Sequence, residues 1–175
     1  MEQSMKYTAD EPAVRSLLLE DDGTFPNNPR PLLLYAGAVP ADPGAIEQIF
    51  TTNDWPGAWR NGVYPYHHYH STAHEALGVY SGSATIQFGG PDGPTATIRA
   101  GDVAVIPAGV AHKCLESSTD FRIVGAYPRG QKWDMCYGES GERPAADRNI
   151  AGVANPDKDP VQGGAGVLLR FWQVS

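Results

Sequence analysis

Residues 62–82 read GVYPYHHYHSTAHEALGVYSG, and their reading decides the fold. Four of the five histidines, His67, His68, His70 and His74, fall here within eight residues. Taken as strand, His68-Tyr69-His70 sends two imidazoles into the same space, because side chains two apart share a face. The spacing runs Gly62, five residues, His68, one residue, His70, four residues, Glu75, six residues, Gly82. A second block, residues 101–112, reads GDVAVIPAGVAH. Its spacing is Gly101, five residues, Pro107, one residue, Gly109, two residues, His112. Gly101-Asp102 makes a turn, Val103–Ile106 a strand, and Pro107-Ala108-Gly109 a turn that delivers His112.

Around these blocks the pattern is strand-like. Short apolar runs at Ala76–Tyr80, Ala84–Phe88, Ala96–Ile98, Val103–Ile106 and Phe121–Tyr127 are separated by Gly or Pro. Many short strands at regular spacing indicate a sandwich or a closed barrel. Upstream, Val14–Leu19 and Leu32–Tyr35 are strand-sized, and residues 1–12 read as a loose end. Residues 43–52 form the one good helix candidate. Asp42 can cap it, Pro43 suits its first turn, and Ala45, Ile46, Ile49 and Phe50 share a face. Residues 128–166 read as loop, and Val167–Val174 reads as a last strand returning to pair with the N-terminal one.

Gly (20) and Pro (15) make up a fifth of the 175 residues, against roughly 12% on average. The size favours one domain with a real core and no need of disulfides. The net charge is −7, which repels phosphate backbones and anionic headgroups, so neither nucleic acid nor membrane is expected as a partner. The polar N-terminus lacks the apolar core of a secretory signal, and no apolar run reaches the roughly 18 residues of a bilayer span. Cys114 and Cys136 read as two reduced thiols, as in a cytoplasmic protein.

The two histidine blocks closely resemble the paired motifs of the cupin family. With ordinary residue frequencies, the five fixed positions of the first block match at a given start with odds below about one in a million. One departure stands at Glu116, where the second motif often carries Asn. The resemblance covers roughly residues 58–128, and the flanks are similar to those of small bacterial cupins of the YjlB-like group. It implies an all-β double-stranded β-helix, a jelly-roll-like barrel with one or two short N-terminal helices. The expected organisation is one cupin domain over 1–175, with a barrel core at about 58–128 and flanks packing on it. It also implies four metal ligands, His68, His70, Glu75 and His112. Three imidazoles and one carboxylate form a set of intermediate softness that suits one divalent Fe, Mn, Ni, Co or Zn. The family resemblance further implies a homodimer.

Beyond the ligands, His74 alternates with Glu75 and is expected to play a structural or supporting part, with His67 outside the barrel or at its rim. Tyr66, two before His68, is a candidate pocket hydroxyl, catalytic or substrate-binding. Glu116, in the strand phase of His112, is the other candidate base. Tyr127 is a substrate-binding candidate, although either face of Phe121–Tyr127 could line the pocket. Arg60 could bind a carboxylate, beside the default of a surface arginine. Trp55, Trp59 and Trp172 are expected to cover barrel ends, and Cys114 to be a small buried residue. The functional expectation is a metal-dependent enzyme, dioxygenase-like, acting on a small oxygen-rich or carboxylate substrate. The alternatives are a metal-dependent isomerase or lyase and a non-catalytic small-molecule binding protein.

Overall fold

The structure, a computed structural model, describes residues 2–5 and 13–173. Its elements are β1 (Glu2–Met5), β2 (Ala13–Leu19), β3 (Asn28–Ala36), α1 (Pro43–Thr52), β4 (Trp59–Asn61), β5 (Glu75–Ser81) and β6 (Ser83–Phe88), followed by β7 (Thr95–Arg99), β8 (Val103–Ile106), β9 (His112–Ser117), β10 (Arg122–Ala126), α2 (Ala145–Gly152) and α3 (Leu168–Phe171). They form an antiparallel seven-stranded sheet, ordered β1-β2-β3-β8-β5-β10-β4, and a three-stranded sheet, ordered β7-β6-β9. This is the all-β cupin architecture that the motifs imply.

The two sheets differ in burial, and the sequence explains why. The small sheet has one wet face, so β6 and β7 alternate between buried and more exposed positions. The large sheet is covered on both faces, so β8 is buried throughout and β5 along its first five residues. One face, with Leu77, Val79, Ala104, Ile106 and Ile123, meets Ile86, Phe88, Ile98 and Cys114 of the small sheet to form the barrel interior. The other face, with Leu33, Tyr35, Val105, Val124 and Ala126, packs under α1 through Ile46 and Phe50. Ile46 and Phe50 are fully buried, and each contributes roughly 1.5–3 kcal/mol. The helix itself forms as its cap predicts: the Asp42 carboxylate accepts the Ala45 N–H at 3.0 Å.

Three expectations are corrected. Residues 2–5 of the supposed loose end pair with β2 as a strand, while 6–12 lie outside the described residues. The C-terminal run is a short helix instead of a strand, with Phe171 and Trp172 donating to the carbonyls of Val167 and Leu168. β2 and β3 each already have neighbours on both sides, so neither offers a free edge. Val174 is outside the described residues. Asp159, wholly buried, anchors this tail by accepting the Tyr35 hydroxyl (2.6 Å) and the N–H groups of Val161, Gln162 and Leu168. Finally, the loop-rich stretch contains α2, whose Ala146 and Ile150 are buried one turn apart. Among the described residues the helices are therefore one N-terminal and two C-terminal, and none is long and apolar enough to cross a membrane.

Candidate metal centre

His68 and His112 meet across an antiparallel bridge, where the His112 N–H donates to the His68 carbonyl at 2.9 Å. The turn ahead of His112 is clamped onto the first histidine block by the Gly109 N–H, which donates to the His70 carbonyl at 2.7 Å. Gly109 sits at φ +89, and a Cβ there would stand 2.5 Å from the Asn27 carbonyl oxygen, so only glycine fits. Asn27 and Asn28 brace the same turn: the Asn27 Oδ1 accepts the Ala111 N–H (3.2 Å) and the Asn28 amide donates to the Ala108 carbonyl (2.8 Å). The sequence signal for these two was only a loop composition.

Each of the three rings has its Nδ1 against a main-chain carbonyl. His68 faces Tyr66 at 2.9 Å, His70 faces Asp134 at 2.6 Å, and His112 faces Val110 at 3.0 Å. A carbonyl only accepts, so Nδ1 carries the proton and donates, which leaves the Nε2 lone pair free to bind a cation. The ligand nitrogens of the three rings lie within 4.8 Å of one another. Glu75 joins them, with Oε2 at 2.9 Å from the His70 Nε2 and Oε1 at 3.6 Å from the His112 Nε2.

The electrostatics fit a cation. Two lone-pair atoms 2.9 Å apart, His70 Nε2 and Glu75 Oε2, repel unless positive charge sits with them, as a proton on His70 or a metal ion shared by the group. Burial pushes the His68 imidazole down to about 3, helped by the neighbouring His112. Burial acts the same way on His70, but the Glu75 carboxylate outweighs it and the net shift is upward. Burial alone would raise Glu75, yet His70 and His112 hold it well below the usual carboxylate range. Three imidazole nitrogens and one carboxylate, all buried, make a donor set suited to a divalent transition metal.

The four residues open onto a cavity of about 260 Å³ with walls from Trp59, Val63, Tyr64, Leu77, Tyr127 and Trp133. Trp59 lies over β10 because Gly125 has no side chain: a Cβ there would stand 2.3 Å from the indole. The indole N–H donates to the Tyr127 oxygen at 3.0 Å. Burial and the Glu75 charge both push the Tyr127 hydroxyl upward, so it stays protonated. Within Phe121–Tyr127 it is thus the Phe121, Ile123 and Tyr127 face that points inward.

Other candidates lie elsewhere. Tyr66 is 41% exposed, stacks on Tyr64, tilts against Tyr137 and meets the His68 ring edge-on at 5.7 Å, outside the cavity lining. Pro65-Tyr66 form a bend, so strand alternation does not run back from His68. Glu116 is exposed outside the barrel: Ile86 pairs with Cys114 but Thr85 with Glu116, and this bulge at Leu115 reverses its face. Arg60 reaches only the rim of the cavity and is ion-paired with Glu47. His74 points away from the ligands, its Nδ1 accepting the Ala108 N–H (2.9 Å) and its ring packing on Trp172. His67 is half-buried against Phe25, and Cys114 and Cys136 are buried free thiols. Of the tryptophans assigned to barrel ends, Trp59 instead walls the site. Sequence reading also missed Trp133 and Met135 in the lining and Asp134 behind His70. All three lie in the Gly/Pro-rich stretch, where no periodicity marks an inward face.

Residues 55–124 match the cupin domain family. The chain is 44% identical over 163 residues, 93% of its length, to Uncharacterized protein YjlB of Bacillus subtilis (strain 168), 98% of which is covered. It therefore belongs to the cupin family, as a YjlB-like member. Among solved structures it is similar to an uncharacterized conserved protein with a double-stranded beta-helix domain from Klebsiella pneumoniae (16% identity, 78% of this chain and 91% of that one, TM-score 0.38). It is also similar to DMSP lyase DddQ from Ruegeria pomeroyi DSS-3 (15% identity, 77% and 60% covered, TM-score 0.37).

Proposed function

We propose that this cupin holds one divalent metal through His68, His70, Glu75 and His112 and is a dioxygenase-like enzyme acting on a small oxygen-bearing substrate. The observation that carries this reading is the convergence of three Nε2 atoms, each ring fixed by a carbonyl behind it, on a buried carboxylate at the floor of a cavity. Fe or Mn in that place would supply Lewis acidity or O₂ activation. The chain's own residues do the rest. Glu75 offsets metal charge, the Tyr127 hydroxyl holds Glu75 by a hydrogen bond, and the aromatic walls exclude water.

The isomerase or lyase reading has less support, because it needs a base and its two candidates, Tyr66 and Glu116, both stand outside the cavity. Metal analysis of protein purified without added metal, followed by O₂ uptake with Fe(II)-loaded protein and a panel of oxy-acids and diketones, tests the proposal. Uptake with at least one compound is expected. Zinc alone in the purified protein, with no O₂ consumed by any compound, would reject the dioxygenase reading. Ligand-induced thermal stabilisation without product would then leave the binding-protein reading. The same proposal includes a single domain, a homodimer, testable by light scattering, and a cytoplasmic setting supported by two free thiols.

A further inference from the structure

Beyond the ligands, the cavity has a lopsided chemistry. Its polar atoms cluster at one end, where the Tyr127 hydroxyl stands near Glu75. The Trp59 N–H donates to the Tyr127 oxygen at 3.0 Å and the Tyr127 proton goes to the Glu75 carboxylate, so the charge left to meet a ligand is that of a divalent metal half offset by one carboxylate. The remaining wall is apolar along Trp59, Val63, Leu77, Trp133 and Met135, with Asn61 and the Tyr64 hydroxyl as its neutral polar groups. Among the described residues one cation touches the cavity, Arg60, and its guanidinium already pairs with Glu47 at the mouth. A second negative charge on a ligand would therefore have no partner and would lose its hydration.

We infer that the ligand of this cavity is an amphipathic monoanion, one carboxylate or enolate head on an uncharged, largely apolar or aromatic body, and not a dicarboxylate. The head lies at the metal end, within reach of Tyr127, and the body lies against Leu77, Trp59 and Trp133. This rests on the metal reading above and narrows the oxygen-rich substrate class expected from the sequence. The cavity, about 260 Å³, is at the small end of ligand sites and takes one compact molecule. Trp133 is 53% exposed and forms the outer part of the wall.

The test uses the full chain loaded with Co(II), whose visible absorption reports both metal uptake and ligand binding. Acetate, benzoate and succinate are titrated, with calorimetry in parallel. Benzoate is expected to bind at least tenfold tighter than acetate, with a negative heat-capacity change from apolar burial, and succinate no tighter than acetate. Trp133→Ala should keep the Co(II) spectrum, because Trp133 is not a ligand, and bring benzoate down toward acetate. Equal binding of acetate and benzoate, or tighter binding of succinate than benzoate, overturns the inference while leaving the metal reading intact. Failure of the unmodified chain to take up Co(II) overturns the metal reading, and the inference with it.

Discussion

Replacing His70 by Ala in the metal-free protein tests the charge logic of the centre. Glu75 is 3% exposed, and its nearest cationic partner is the His70 Nε2 at 2.9 Å. Removing one member of a buried pair strands the other and costs about 3–5 kcal/mol. His112 remains 3.6 Å away and takes part of the load, so the lower end, about 3 kcal/mol, is the working figure. The lost hydrogen bond to the Asp134 carbonyl adds about 1 kcal/mol. For a chain of this size each kcal/mol shifts Tm by about 2–4 °C, giving a fall of roughly 8–16 °C. The diagnostic step is a second mutation. Glu75→Gln on the His70→Ala background removes the stranded charge, so the double variant should be more stable than His70→Ala alone by at least about 1 kcal/mol.

The pH dependence has a definite sign. In the unmodified protein Glu75 is depressed below its ordinary 4.5, so its contribution is present above that value and is lost as pH falls through the folded value. His70 is raised above 6.5, so its contribution is present below 6.5 and is lost as pH rises through the folded value. In His70→Ala the carboxyl is left buried with weaker compensation and its folded value rises. The deficit against the unmodified protein should therefore grow from pH 4.5 toward 6.5 and shrink again by pH 8, where the unmodified protein loses its His70 contribution. Urea denaturation of chelator-treated protein at pH 4.5, 6 and 8 measures all three curves. A double variant as unstable as the sum of its single variants, or a deficit independent of pH, would refute the reasoning.

Three further outcomes are expected. His68→Ala or His112→Ala should abolish tight metal binding, read as metal content after dialysis, and chelation should lower the Tm of the unmodified protein; full occupancy in either variant rejects the ligand assignment. Gly125→Ala should cost about 1–3 kcal/mol, because its Cβ would meet the Trp59 indole at 2.3 Å, and should shift tryptophan emission; an unchanged melting curve contradicts the packing. Burial pushes the Cys136 thiol up to about 11, so only about one molecule in a thousand is thiolate at pH 8, and iodoacetamide should label it in urea far faster than in the native protein.

The convergence of His68, His70, Glu75 and His112 was legible because the motif spacing fixes their sequence positions and the turns around His112's strand block carry their own glycines. Helix α1 was legible for a similar reason, since Asp42, Pro43 and the Ile46–Phe50 face all point the same way. What failed was phase carried across irregular backbone. The bend at Pro65-Tyr66 and the bulge at Leu115 each reverse a side chain; Pro65 is the sequence signal for the first, and the second leaves none. The tail failed because its course depends on long-range partners. Asp159 finds Tyr35, 124 residues away in sequence, and Trp172 finds the Pro31 carbonyl at 2.9 Å.

The carbonyls behind the three rings differ in how far along the chain they come from. His68 and His112 take theirs from two residues upstream, so local backbone orients those rings. His70 takes its carbonyl from Asp134, 64 residues downstream. One short segment outside the barrel strands therefore supplies both the backstop of that imidazole, at Asp134, and part of the cavity wall, at Trp133. A substitution that shifts this segment would thus disturb the ring and the wall together while leaving the barrel strands paired.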